Sequence, residues 1–212
     1  MENFLFKIIF VIPAILVAFV VHEICHGWIA YVFGDPTAKY EGRLSFDPRK
    51  HIDPVGAGIL LFTLLFTNMA IGWAKPVKVN PYNFRNPRQD MMWVAFAGPL
   101  SNFTMAALAG LLFKFGLLDG IPLLAQFVFI FIMVNVGLGL FNLIPIPPLD
   151  GSKILYGLLP SYLAHRLMDL EIRYAQLIPI ILIIFVMSPV FDFIIRVPYN
   201  FLLRIFTGVT FY

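Results

Sequence analysis

The sequence predicts an all-α membrane protein, a polytopic helical bundle carrying a short membrane-associated β-hairpin or re-entrant element. Three observations lead there. Of 212 residues, 60% are hydrophobic and only 13% are charged, and the mean hydropathy of +0.86 lies well above that of a soluble domain. Four apolar runs approach the ~20 residues needed to cross ~30 Å of hydrocarbon, giving expected spans at about 5–33, 91–115, 122–147 and 174–196. Between 34 and 90 the texture changes, with prolines at 36, 48, 54, 76, 81 and 87 breaking any long helix. The polar segments are too short for a separate soluble domain, so residues 1–212 read as one membrane-embedded domain.

Taken in order, the first run has no small-residue cleavage site of the signal-peptide kind, and it continues through "VVHEICHGWIAYVFG". It is expected to stay in the mature protein. The pieces "AKYEGRLSF" and "AKPVKVNP" alternate with period two and predict strands or a hairpin against the membrane. Between them, 55–73 is either a re-entrant element or an additional span. If it dips and returns, the loops 34–90 and 148–173 share one side with 11 of the 15 Lys and Arg, leaving Lys7, Lys114, Arg196 and Arg204 opposite. The positive-inside rule then makes the loop side cytoplasmic. The net charge of +3 fits basic loops beside anionic lipid headgroups rather than nucleic-acid binding.

Two histidines and a glutamate stand inside the first span, where ionisable groups are costly and mark function. Residues 22 and 26 are four apart and project from one helix face, with Glu23 about 100° around the axis. This H-E-x-x-H spacing suits two imidazoles on one Zn²⁺ and a carboxylate acting as general base. A catalytic zinc usually takes a third protein ligand. The strongest candidate is Asp150 in "GLFNLIPIPPLDGSKIL", a carboxylate at a proline-broken helix end. His22 and His26 lie toward the far end of their span, so Asp150 must arrive from a span running the same way. That condition is met if 55–73 is re-entrant.

HEICH in a membrane span, "AGPLSN" and "FNLIPIPPLDG" resemble the site-2 protease family of intramembrane zinc metalloproteases, in a compact form with room for neither PDZ nor CBS domains. The resemblance covers about residues 18–160. It implies zinc ligands at His22, His26 and Asp150, one zinc per chain, and a general base at Glu23. It also implies hydrolysis of peptide bonds within or next to transmembrane segments of a membrane-protein substrate, at a site near the cytoplasmic face of the cell membrane. Regulated cleavage of a membrane-tethered regulator and clearance of signal-peptide remnants fit equally.

Asn142 and Asn102 are further candidates, for substrate binding or oxyanion stabilisation. An extended substrate segment could pair with an edge at 38–46 or 75–80. Cys25, the only cysteine, sits about 100° from His26 and reads as a small packing residue. His51 and His165 fall in polar loops and are expected to be solvated, while Trp73, Trp93 and Tyr40 suit the membrane interface. The competing reading is a non-hydrolytic zinc-binding membrane protein of the same fold, against which an intact Glu23 argues. A transporter would spread ionisable residues along a path through several spans. Proteases acting on lipidated proteins share the first motif but take a glutamate as third ligand, where this chain offers Asp150.

Overall fold

A computed structural model describes residues 2–66, 72 and 75–208. Helix α1 (Glu2–Phe6) passes through a π-helical turn at Lys7–Val11 into α2 (Ile12–Val32), and Phe4–Val32 together is long and apolar enough to cross a membrane. Helices α3 (Thr37–Tyr40) and α4 (Pro54–Phe66) follow, then two further helices of spanning length, α5 (Pro87–Lys114) and α6 (Pro122–Asn142). The chain ends with α7 (Asp150–Leu158), α8 (Ser161–Arg173), α9 (Ile178–Val186) and α10 (Pro189–Thr207). The all-α membrane bundle is as expected.

Helix α5 lies at the centre, packed against α2, α6 and α7. Small residues make this possible: Ala14, Ala18, Gly27 and Ala30 are buried on α2, and Ala95, Gly98, Ala106 and Gly110 on α5. Lipid tails are as apolar as Leu, so helices associate where small side chains let backbones approach and dispersion contacts accumulate. A second layer of Ile132 and Val136 from α6 and Leu203 from α10 packs with Ala106.

The predicted hairpin is not there: among the described residues there is no strand. Thr37–Tyr40 is a single helical turn, and 75–80 is extended but unpaired. The alternation of "KPVKVN" did specify extended backbone. Its donors, however, go to other groups: Lys75 N–H to His51 O at 2.9 Å, Val77 N–H to Glu23 Oε2 at 2.8 Å and Asn80 N–H to Asp35 Oδ2 at 2.7 Å. Carboxylates and a loop carbonyl take the place of a neighbouring strand.

Helix α4 has 13 residues, about 20 Å at 1.5 Å per residue and short of the hydrocarbon thickness. Gly72 lies against Gly56 and Leu60, and Lys75 is bonded to His51. Lys75 and Gly72 therefore lie close to the start of α4. Trp73 lies outside the described residues.

The third apolar run stops being helical at Asn142, ahead of Pro145, Pro147 and Pro148. The fourth, expected as one span, is two helices meeting at 68°. Ser188 caps a new helix there by accepting from Phe191 N–H at 3.4 Å, with Pro189 in its first turn.

Candidate metal centre

On α2 the four-residue spacing stacks His22 and His26 on the face turned to α5. Their rings meet edge to face with centroids 4.6 Å apart. Opposite them α5 presents Gly98. A Cβ there would stand 2.5 Å from His26 Cε1 and Nε2 and 2.6 Å from His22 Cε1, so only glycine leaves room for both imidazoles.

Asp150 arrives from the other side as the first residue of α7, where its negative charge faces a helix N-terminus. Gly151 lets α7 begin against the last carbonyls of α6: a Cβ would run into Leu143 O and Ile144 O. Asp150 Oδ2 comes to 3.1 Å from His22 Nε2 and 3.2 Å from His26 Nε2, and the two Nε2 atoms are 3.0 Å apart. All three side chains are buried.

The outer ring nitrogens decide what this triangle can hold. His26 Nδ1 lies 2.7 Å from Val94 O, a pure acceptor, so Nδ1 carries the proton. His22 Nδ1 lies 2.7 Å from Asn102 Oδ1. The Asn102 amide nitrogen donates to Ala18 O at 3.2 Å and Asn135 Oδ1 at 3.0 Å, which fixes its oxygen toward His22. With Nδ1 protonated on both rings, each neutral imidazole would turn a bare Nε2 inward. Two such nitrogens and a carboxylate oxygen converge on one point, a set of donors suited to a cation between them. The edges of the triangle approach the ~3.3 Å of a tetrahedron with ~2.0 Å bonds, the preference of zinc. The donor set fits Zn²⁺.

Glu23 stands beside the triangle rather than in it. It is 6% exposed, offers a ligand-type oxygen within 4.8 Å of both histidines, and is held by Val77 N–H on its Oε2. A second carboxylate anchors the same segment. Asp35, fully buried, accepts from Thr37 N–H at 3.1 Å, Thr37 Oγ1 at 2.5 Å, Asn80 N–H and Asn83 Nδ2 at 2.6 Å. Burial pushes its carboxyl pKa up, but these bonds prevail and hold it below the usual carboxylate value.

Of the residues singled out in the sequence, the structure thus brings His22, His26 and Asp150 together, with Glu23 adjacent and Asn102 behind His22. Both ends of the Asn102 amide are engaged, its oxygen by His22 and its nitrogen by Ala18 O and Asn135 Oδ1. Asn142 is half-buried at the end of α6, donates to Leu138 O at 3.0 Å, and makes no hydrogen bond to the cluster. Asn135 was missed, although an amide in the middle of an apolar run was a visible signal. His51, expected to be solvated, is 1% exposed, its Nε2 at 2.9 Å from Ser45 O and its backbone carbonyl accepting from Lys75 N–H. His165 lies on the exposed side of α8, near Ser161 O, and Cys25 is half-buried. Tyr40 and Trp93 are exposed.

Comparison with known proteins agrees with this chemistry. The model of peptidase family M50 matches residues 120–189. Over 182 residues the chain is 37% identical to the candidate zinc metalloprotease YwhC of Bacillus subtilis (strain 168), covering 81% of this chain and 80% of that one. The chain belongs to peptidase family M50. It is also 30% identical over 150 residues to the candidate zinc metalloprotease Rip2 of Mycobacterium tuberculosis (strain ATCC 25618 / H37Rv), covering 69% of this chain and 56% of the relative. No solved structure is a significant match. As an M50 peptidase the protein is a zinc metalloprotease of the site-2 protease kind, and the buried His22, Glu23 and His26 group is the cluster among the described residues suited to a metal.

Proposed function

We propose that this M50 metalloprotease cuts peptide bonds within or next to transmembrane segments of other membrane proteins, with His22, His26 and Asp150 holding one zinc and Glu23 as general base. The observation that carries the reading is the convergence of two imidazole Nε2 atoms and a carboxylate oxygen within 3.0–3.2 Å inside an apolar bundle. Bound zinc supplies a Lewis acid that polarises a carbonyl and acidifies water. Val77 N–H fixes one Glu23 oxygen and leaves the other to accept a proton from water and return it to the leaving amine. Asn102 and Val94 O keep both imidazole rings oriented. Asn142, with one amide hydrogen engaged by Leu138 O, is our candidate for the substrate backbone or the oxyanion.

We read residues 1–212 as one domain crossing the cell membrane four times, with 55–73 re-entrant and the site near the cytoplasmic face. The bond from Lys75 to His51 and the 11 Lys and Arg on the loop side support that reading. The lipid bilayer and a membrane-anchored polypeptide are then its partners.

The test is zinc per chain in detergent-purified wild type and in Asp150→Ala. About one zinc in wild type, with at least a tenfold loss of affinity in the variant, supports the ligand set. Equal zinc in both, or none in wild type, overturns it. Cleavage of a single-span substrate reconstituted with the enzyme in vesicles, absent with Glu23→Gln, tests the reaction. Cleavage confined to soluble peptides would count against the intramembrane role.

A further inference from the structure

A chain of two buried amides runs from the middle of α6 to the back of His22. We infer that Asn135 is a positioning residue for zinc binding: by engaging the nitrogen end of the Asn102 amide it makes the oxygen end face His22, and so fixes the imidazole tautomer that leaves Nε2 bare. Asn102 and Asn135 are both 0% exposed. Asn135 Nδ2 donates to Phe131 O of its own helix at 2.8 Å, which points its Oδ1 away toward α5. That oxygen accepts from Asn102 Nδ2 at 3.0 Å. Ala18 O takes the same donor group at the longer distance of 3.2 Å. The remaining end, Asn102 Oδ1, accepts from His22 Nδ1.

The direction of the bonds is set by two carbonyls that can only accept, Phe131 O behind Asn135 and Ala18 O beside Asn102. Turned round, the Asn102 amide would offer N–H to His22 Nδ1, push the ring proton to Nε2 and block the position where the metal must bind. Asn135 therefore acts on the ring only through the amide of residue 102. The two asparagines come from different helices, so the register of α6 against α5 is coupled to the state of a ring on α2.

This positioning role rests on the zinc reading above, and one set of titrations separates the two. Zinc affinity is measured with zinc alone against a competing chelator on the full chain in detergent, for wild type, Asn135→Leu, Asn102→Ala and the double variant. Asn135→Leu is expected to bind about tenfold more weakly than wild type, at the low end for an outer-shell partner of a metal-ligating histidine. Asn102→Ala is expected to lose at least as much, since it removes the amide through which Asn135 acts. Adding Asn135→Leu to Asn102→Ala should then cost nothing further. A merely structural role for Asn135 would weaken zinc binding equally in both backgrounds, and that result overturns the inference, as does wild-type affinity in Asn135→Leu. Should Asn135→Leu not fold, Asn135→Ser, which keeps an oxygen acceptor, is expected to bind more tightly than Asn135→Ala, and equal affinities overturn the role. A wild-type chain that takes no zinc fails the metal site itself.

Discussion

Helices α2 and α9 are both strongly apolar, yet they have opposite fates. Helix α9, IPIILIIFV, has no buried residue. Helix α2 buries eight, and they are Ala14, Ala18, Val20, His22, Glu23, His26, Gly27 and Ala30. In water the larger aliphatic side chains would have formed the core. In lipid that driving force is absent, so burial follows small residues that permit close approach and polar groups that need partners. On these two helices the larger aliphatics are left on the outside. The two helices show that, inside a membrane, the apolar content of a segment says where it lives and its exceptions say what it touches.

The sharpest way to break this comparison is at the tightest contact. Gly98→Val places a branched side chain where even a Cβ would stand 2.5 Å from His26. It is expected to abolish zinc binding and proteolysis together, read as metal content and substrate cleavage. If zinc stays, the packing of α5 on α2 does not shape the site as described. Glu23→Gln should lower proteolysis by about 10²–10⁴-fold while zinc content stays at the wild-type level. A parallel fall in zinc would make Glu23 a ligand instead of a base.

Truncation then sharpens the contrast between packed and lipid-facing positions. Ile132→Ala removes a fully buried side chain of α6 and should cost about 2 kcal/mol or more through the cavity it leaves. Ile184→Ala on α9, where Ile184 is 64% exposed, should change unfolding by less than about 0.5 kcal/mol. Denaturant titration in mixed micelles measures both, and equal costs would mean that α9 packs on a partner.

The smallest effect is expected at Asp35. Its folded-state pKa is depressed below 3.8, so its stabilising share is complete above that value and lost as pH falls through the folded one. Asp35→Asn should lower melting temperature modestly at neutral pH and flatten the decline below pH 4. An unchanged acid limb would show that Asp35 does not hold 75–83 in place.

How much of this was legible in advance depends on whether an interaction lies within one helix. The His22–Glu23–His26 face follows from 3.6 residues per turn and was readable. So was the carboxylate at Asp150, because prolines and Asp-Gly mark a helix boundary. The strands at 38–46 and 75–80 were misread. Alternation reports extended backbone, and it cannot report that Glu23, Asp35 and His51 O would supply the acceptors. The bend between α9 and α10 was equally hidden inside one apolar run, although Ser188-Pro189 is the residue pair that starts the new helix.

What the sequence by itself determined is the membrane class, the helical periodicity that sets two imidazoles on one face, and the carboxylate at a proline-broken helix boundary. These depend on composition and on local geometry, which a single chain segment carries. The tertiary structure decided that Asp150 Oδ2 closes a triangle with the two Nε2 atoms, that Asn102 Oδ1 lies against His22 Nδ1, and that Asn135 stands behind it. Those facts join residues 33 to 128 positions apart. Only the close approach of α5 to α2 and α6, permitted by glycine and alanine at the contacts, brings them within hydrogen-bond reach.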